Sequence, residues 1–530
     1  MVFTLLMLAA GTLAGDGSDG DRPRSVAEVA AQIDALMERH WASAGVNPTD
    51  LASDSTFLRR ITLDLLGRIP TEREAVEFAH DASPDKRVQC VERLMSSPEY
   101  ALHFGNVLDE LIQGKYAGDR NFITYLRQSI AQHKTWDRLF QEIMLGPWDT
   151  DEQKPAARFL SQRIRDLDDL TTDTSRVFFG IEIACAKCHD HPLVPDWTQH
   201  HYYGMASFFN RTYEFGKERI VAEKDTDDVT FVDRAGTQST ARIMFLSGKV
   251  IDEPKMVIDP KLQDLKERRK KEGRYLEPAF SRREQLVRVA LDDKAFFSKA
   301  IVNQIWATLF GRGLVHPTDQ MHSENLPSVD GPLELLAADF SNSGYDLDRL
   351  VSAMVSTRTY QRSSMWHSAS EPPGAEQFAV AQLRSLTPRQ YAFAVILATG
   401  DQALDRATPE NRSDRYRDIE NRAASLTESM DRRSTNQQSS TNEALFMSNS
   451  PALQQLVQPA GENLVARLAA MPDTDHVVET AIWTTLGRAP DPNEKSHLVT
   501  WLESNAQARS VACCELVWAL LTSAEFRFNH

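Results

Sequence analysis

The stretch Cys185-Ala186-Lys187-Cys188-His189-Asp190-His191-Pro192 gathers two thiols and two imidazoles within a few residues. Two thiols three apart, followed at once by His, is the spacing that attaches a c-type haem. The thiols add to the porphyrin's vinyl groups and the adjacent imidazole takes an axial position on iron. In that reading Cys185 and Cys188 are thioether anchors and His189 is the iron ligand. Met205, His191, His200 and His201 are candidates for the opposite axial position by nearness in sequence, although His191 stands too close to His189 to reach the far haem face easily. A second reading makes Cys185, Cys188, His189 and His191 ligands of Zn²⁺ or iron, because donors this close in sequence can converge on one ion. Asp190 or Asp196 would then orient a ligand imidazole. A third is a redox disulfide between Cys185 and Cys188, with the histidines lowering a thiol pKa. No nucleophile elbow, phosphate loop, dinucleotide fingerprint or His-Glu-x-x-His competes with this stretch. Cys90 and the Cys513-Cys514 pair lie on apolar helical faces and read as core.

The chain around it has 530 residues, 42% hydrophobic and 25% charged, enough for several domains with substantial cores. Its net charge of −16 argues against non-specific binding to nucleic acid or to an anionic membrane. An odd count of five cysteines does not make a disulfide framework. Val2 to Ala14 is a short apolar run ending in small residues, which reads as a signal peptide over 1–15. It is too short for a transmembrane helix, and no transmembrane segment is expected. Export to the periplasm or outside the cell would agree with haem attachment, which takes place beyond the cytoplasm.

Helical periodicity dominates the elements that must position the motif. Ser25 with Glu28 and Thr71 with Glu74 form capping boxes, Gly67 is a helix C-cap, and Ser83-Pro84 opens a helix. Thr171 or Asp173 is expected to cap a helix that delivers Cys185 at its C-terminal end. Tyr202 to Phe209 reads as a further apolar helix. Short β-prone runs at 219–222, 229–232 and 241–245 predict a small antiparallel β insertion over about 212–256, followed by the charged run Lys261 to Lys271. Helix resumes from Arg282, with an amphipathic stretch at 296–310 and another at 388–399. Asp401 to Asn442 is polar and without clear period, a linker or long loop. The expected fold is mainly α, with multi-helix domains over 25–211 and 276–400, the insertion and charged helix at 212–275, the linker at 401–442 and a helical part over 443–530.

One pattern recurs. Leu66-Gly67-Arg68-Ile69-Pro70 leads to Ser96-Ser97-Pro98-Glu99-Tyr100, and Leu486-Gly487-Arg488-Ala489-Pro490 leads to Thr522-Ser523-Ala524-Glu525-Phe526. A looser copy runs from Phe310-Gly311-Arg312-Gly313 to Ser356-Thr357-Arg358-Thr359-Tyr360. The order of residue types predicts a duplicated helical unit with a structural role.

Three stretches carry a family resemblance: Arg60 to Pro70; Cys185 to Pro192 with Trp197 and Tyr202 to Phe209; and Ala300 to Trp306 through Phe310 to Val315, on to Tyr345-Asp346-Leu347 and Thr359 to Ser364. With Glu443 to Asn449 they make the chain resemble exported planctomycete proteins in which a "planctomycete cytochrome C" type domain precedes a planctomycete-specific C-terminal domain. The sequence departs from that pattern at Gln304, where Arg is usual, and at Asp330-Gly331-Pro332, where a Ser-His-Pro-Glu run is usual. The resemblance implies export, a mainly helical build and other exported proteins, possibly sulfatase-like, as partners; it implies no established reaction. Two functions follow as expectations. One is an exported c-type-haem protein in electron transfer or redox partnership. The other is a non-catalytic scaffold or binding module with a structural Cys/His zinc site.

Overall fold

Ser25 opens the first helix, Val26–Ala44, as its capping box predicts. Its hydroxyl accepts the Glu28 N–H at 3.2 Å, and the Glu28 carboxylate accepts the Ser25 N–H at 2.6 Å. The computed structural model describes residues 24–427 and 450–530, apart from 147, 149, 191–193, 218, 234–235, 255–264, 267–268, 270–274, 276, 294–295 and 401. Among the described residues the chain forms 22 α-helices and three two-stranded antiparallel sheets, so the mainly-α expectation holds. The proposed signal peptide over 1–15 lies outside the described residues, as does most of the Lys261 to Lys271 charge run.

Local chemistry explains where the elements differ from expectation. The helix assigned to Ser83-Pro84 begins later, at Lys86–Met95, because the Ser83 hydroxyl is engaged in a preceding turn with the Asp85 N–H. The β insertion is two separate hairpins. Thr212–Phe215 pairs with Ile220–Glu223, and Thr230–Val232 pairs with Gln238–Thr240. The run at 241–245 forms no strand beyond a single bridge, Met244 to Val250; Ile243 and Phe245 instead bury themselves in the helical core. Within the expected linker, Arg412–Thr427 is a helix. Its buried stripe Tyr416, Ile419, Ala423 and Leu426 has helical spacing, hidden in the sequence among charged neighbours. The remainder of that linker, 428–442, and the Glu443 to Asn449 stretch lie outside the described residues.

Buried side chains fall into two apolar clusters. One runs from Val29 to Ala379; the other joins Leu386 to Phe526 with Leu63, Ile69 and Leu102 from the N-terminal half. The helix Asp54–Leu66 lies at the seam and is tied to both. Arg60 donates to the carbonyls of Tyr360 (2.5 Å) and His530 (3.2 Å), and Arg59 to those of Phe526 (2.7 Å) and Thr485 (3.4 Å). The Asp64 carboxylate accepts from the Tyr360 hydroxyl, Arg384 and the Asn529 amide.

The repeated pattern is a repeated structure. Gly67 and Gly487 each end a helix in the left-handed conformation, φ 69° and 71°. The arginine that follows each donates to the carbonyl of its next residue, to the capping-box glutamate of the next helix (Glu74 or Glu494) and to Glu99 or Glu525. In the looser copy Gly311 again ends a helix, but Thr359 stands where Glu99 and Glu525 stand. No carboxylate pairs with Arg312 among the described residues.

Candidate functional site at the Cys-x-x-Cys-His turn

The motif is reached through the helix Leu167–Phe179, whose N-cap is Asp166 rather than Thr171 or Asp173. Thr171 turns its hydroxyl back to the Leu167 carbonyl, and Asp173 is taken by Arg163 at 2.6 Å, so neither can cap. Gln304 covers the far end, donating to the carbonyls of Val177 (3.0 Å) and Arg176 (3.5 Å). The helix does not deliver Cys185. Gly180, at φ 69°, ends it, and the chain runs beside the segment 319–321: Ile181 bridges Gln320 and the Glu182 N–H donates to the Asp319 carbonyl at 2.7 Å. A Cβ at residue 180 would stand 2.5 Å from the Met321 sulfur, so this crossing requires glycine.

A short 3₁₀ turn, Ala184–Lys187, then carries the motif. Cys185 lies within the turn and Cys188 is its C-cap residue. Both are exposed and unbridged, while Ala186 between them is fully buried and seats the turn. Lys187 pairs with Asp168, which also accepts the Tyr202 hydroxyl at 2.5 Å. Burial pushes the Asp168 carboxyl up, but Lys187 and Tyr202 outweigh it and hold its pKa below the usual value. Half-buried His189 places Nδ1 2.7 Å from the Asp190 carbonyl oxygen. Asp190 Oδ1 in turn accepts the Gln199 N–H at 3.0 Å, and Gln199 Nε2 donates to the Lys187 carbonyl at 3.2 Å.

The other predicted site residues scatter. Met205 is fully buried in the main core and is packing, not a ligand presented at the turn. His200 meets the edge of Phe231, and His201 Nδ1 lies 2.9 Å from the Thr198 hydroxyl. Asp196 takes the Ser323 N–H and hydroxyl, at 2.7 and 3.0 Å, and so fastens the 316–328 loop rather than an imidazole. His191 lies outside the described residues. Sequence reading passed over Asp168, Lys187, Gln199 and Tyr203. Tyr203 stacks on Phe231 of the second hairpin at 4.4 Å, which brings the β insertion to the edge of the site. Lys187, inside the motif, and Tyr203, in the Tyr202 to Phe209 stretch, carried a sequence signal; Asp168 and Gln199 did not.

Towards a c-type haem the turn offers two free, exposed thiols and a His189 ring whose Nδ1 faces a carbonyl, the donor types such a group needs. Among the described residues no three His, Cys, Asp or Glu side chains come together to hold an ion. A cleft of about 1780 Å³ lies elsewhere, between Asp119–Ser161 and the first hairpin, and no motif residue lines it.

Residues 32–214 match PSCyt2, a protein of unknown function (DUF1549), and residues 282–435 match PSD1, a protein of unknown function (DUF1553). No curated protein and no solved structure matches the chain. The first match contains the whole Cys-x-x-Cys-His turn with its Asp168 and Gln199 ties, and the second begins at Arg282 and takes in Gln304. In that N-to-C order the pairing is the expected one, and the chain belongs to the planctomycete family that joins a PSCyt2, or planctomycete cytochrome C type, domain to a PSD1 C-terminal domain.

Proposed function

We propose that this chain is an exported protein that carries one c-type haem at Cys185, Cys188 and His189 and serves as an electron-transfer or redox partner of other exported proteins. The observation that carries the reading is the His189 ring, with Nδ1 against the Asp190 carbonyl and Nε2 left for iron, on the same turn as two exposed, uncrosslinked thiols. Cys185 and Cys188 would hold the group covalently and His189 would ligate it. Tyr203 and Phe231 offer an aromatic wall beside Cys188. A bound haem supplies one-electron redox chemistry; Lys187 and Asp168 keep the turn in place around it. Among the described residues no helix is long and apolar enough to cross a membrane.

A second reading, a scaffold or binding module with a structural zinc, draws on the polar surroundings of the turn: Asp168, Lys187, Asp190 and Gln199 are its described neighbours, and His191 follows in sequence. One experiment separates the two. The chain is expressed with an export signal in a host that matures c-type cytochromes, then denatured and stained for haem, with its spectrum and metal content measured. A stained band with a Soret peak, absent from Cys185→Ala/Cys188→Ala, supports haem. An unstained protein holding stoichiometric zinc overturns that reading in favour of the scaffold.

A further inference from the structure

The turn is tied to the N-terminus of the following helix, Gln199–Ala206, in a way that neither haem nor zinc by itself requires. Asp190 does two things at once. Its side chain reaches nine residues forward to accept the Gln199 N–H, and its carbonyl faces His189 Nδ1. Gln199 answers with its own amide, which donates to the Lys187 carbonyl. The backbone is thus held at residue 187 and at residue 190, on either side of Cys188 and His189. On the opposite flank Lys187 reaches Asp168 on the preceding helix.

A carbonyl oxygen can only accept. The ring nitrogen 2.7 Å from it must carry a proton, and in the neutral ring the other nitrogen then holds the lone pair. Whatever fixes the Asp190 carbonyl therefore fixes the tautomer of His189. We propose that Asp190 and Gln199 are positioning residues: they clamp the turn so that His189 stands as the Nδ1–H tautomer, its Nε2 free for a metal, before any metal or haem arrives. The clamp rests on the reading of His189 as a ligand for its purpose but not for its existence.

The test uses the full chain without haem, labelled with ¹⁵N-histidine, and reads the two ring-nitrogen shifts of His189, assigned by their loss in His189→Gln. Wild type is expected to show a protonated Nδ1 and a lone-pair Nε2. Asp190→Ala removes the acceptor for the Gln199 N–H and is expected to bring Nε2–H tautomer into the mixture. Asp190→Asn keeps that acceptor and restores the wild-type shifts. Gln199→Ala, which leaves its own N–H in place, is expected to have an intermediate effect. Titration with iron protoporphyrin IX, followed at the Soret band, is expected to weaken about 10-fold in Asp190→Ala and to recover in Asp190→Asn. A wild-type His189 with its proton on Nε2, or an Asp190→Ala chain with unchanged shifts, overturns the clamp. If the wild type takes up no porphyrin, the haem reading fails while the ring shifts still decide the clamp.

Discussion

Lys187 stands in sequence between two exposed thiols and pairs its ammonium with Asp168. Cutting that tie should change the chemistry of Cys188, the next residue in the chain. With Asp168→Asn the ammonium is freed beside the thiol, and a cation near a thiol favours the thiolate. Alkylation of Cys188 by iodoacetamide at pH 7, followed by mass spectrometry, is expected to speed up several-fold, with Cys90 and Cys513, both buried, unaffected. Asp109 behaves in the opposite sense from Asp168. Its carboxylate accepts the Gly118 N–H at 2.7 Å, but the other oxygen is buried without a partner, and burial pushes its pKa up to about 6. An acid whose folded pKa is raised binds protons more readily in the native state. The chain is therefore stabilised by this group as pH falls from about 6 toward 4 and loses that contribution as pH rises through 6. Asp109→Asn removes the dependence. On going from pH 7 to pH 5 the wild-type Tm should gain relative to the variant, and parallel curves would show that Asp109 ionises normally.

At the scale of elements, the paired arginine turns allow the same chemistry to be compared at two depths. Arg68 is fully buried with Glu74 and Glu99, whereas Arg488, with Glu494 and Glu525, is about a quarter exposed. The first is also covered by the helix Arg412–Thr427, whose Arg412 reaches both carboxylates, at 2.9 and 2.6 Å. Arg68→Ala leaves buried carboxylates short of a partner and should cost about 3–5 kcal/mol, and Arg488→Ala about 1–2 kcal/mol, by denaturant unfolding. Near-equal costs would mean that depth of burial does not set what each arginine contributes. The Gly180 crossing gives a sharper case. Gly180→Ala forces a left-handed alanine into the Met321 sulfur and should destabilise the chain by about 1–3 kcal/mol while loosening the base of the Cys-x-x-Cys-His turn. Capping boxes, glycine stops and the repeat were legible in the sequence because each is a short-range rule. The start of the helix before the motif was not, since Thr171 and Asp173 obey the capping preference but are drawn off by a carbonyl and by Arg163. The Arg412–Thr427 helix was hidden because its apolar stripe is thin and its other faces are charged.

For the molecule as a whole, the helix Asp54–Leu66 is one of the elements that tie the two cores together. Asp64, only 4% exposed, gathers Tyr360, Arg384 and Asn529. Asp64→Ala strands the Arg384 guanidinium and should cost about 3–5 kcal/mol. Calorimetry is expected to show a single transition in the wild type and two in the variant, the second core melting first; a variant that still melts in one step would place the coupling elsewhere. None of this seam was readable from the chain. Arg59, Arg60 and Asp64 look like the polar face of an amphipathic helix, and only the fold brings carbonyls and side chains from beyond residue 350 against them. Leu63, Ile69 and Leu102 likewise announce burial without saying in which core.

Those three residues also set an order of events in time. The apolar partners of Leu63, Ile69 and Leu102 begin at Leu386 and run to Phe526, so a growing chain emerges with part of its first half already committed to a surface not yet synthesised. Until that surface arrives they remain open to other chains, the condition in which unfinished proteins aggregate or recruit chaperones. A ribosome stalled near residue 380 would release a product with its first core largely complete and an apolar seam uncovered. Quality control in the producing cell would have to recognise that seam rather than a failure of the Cys-x-x-Cys-His turn, which such a product already contains.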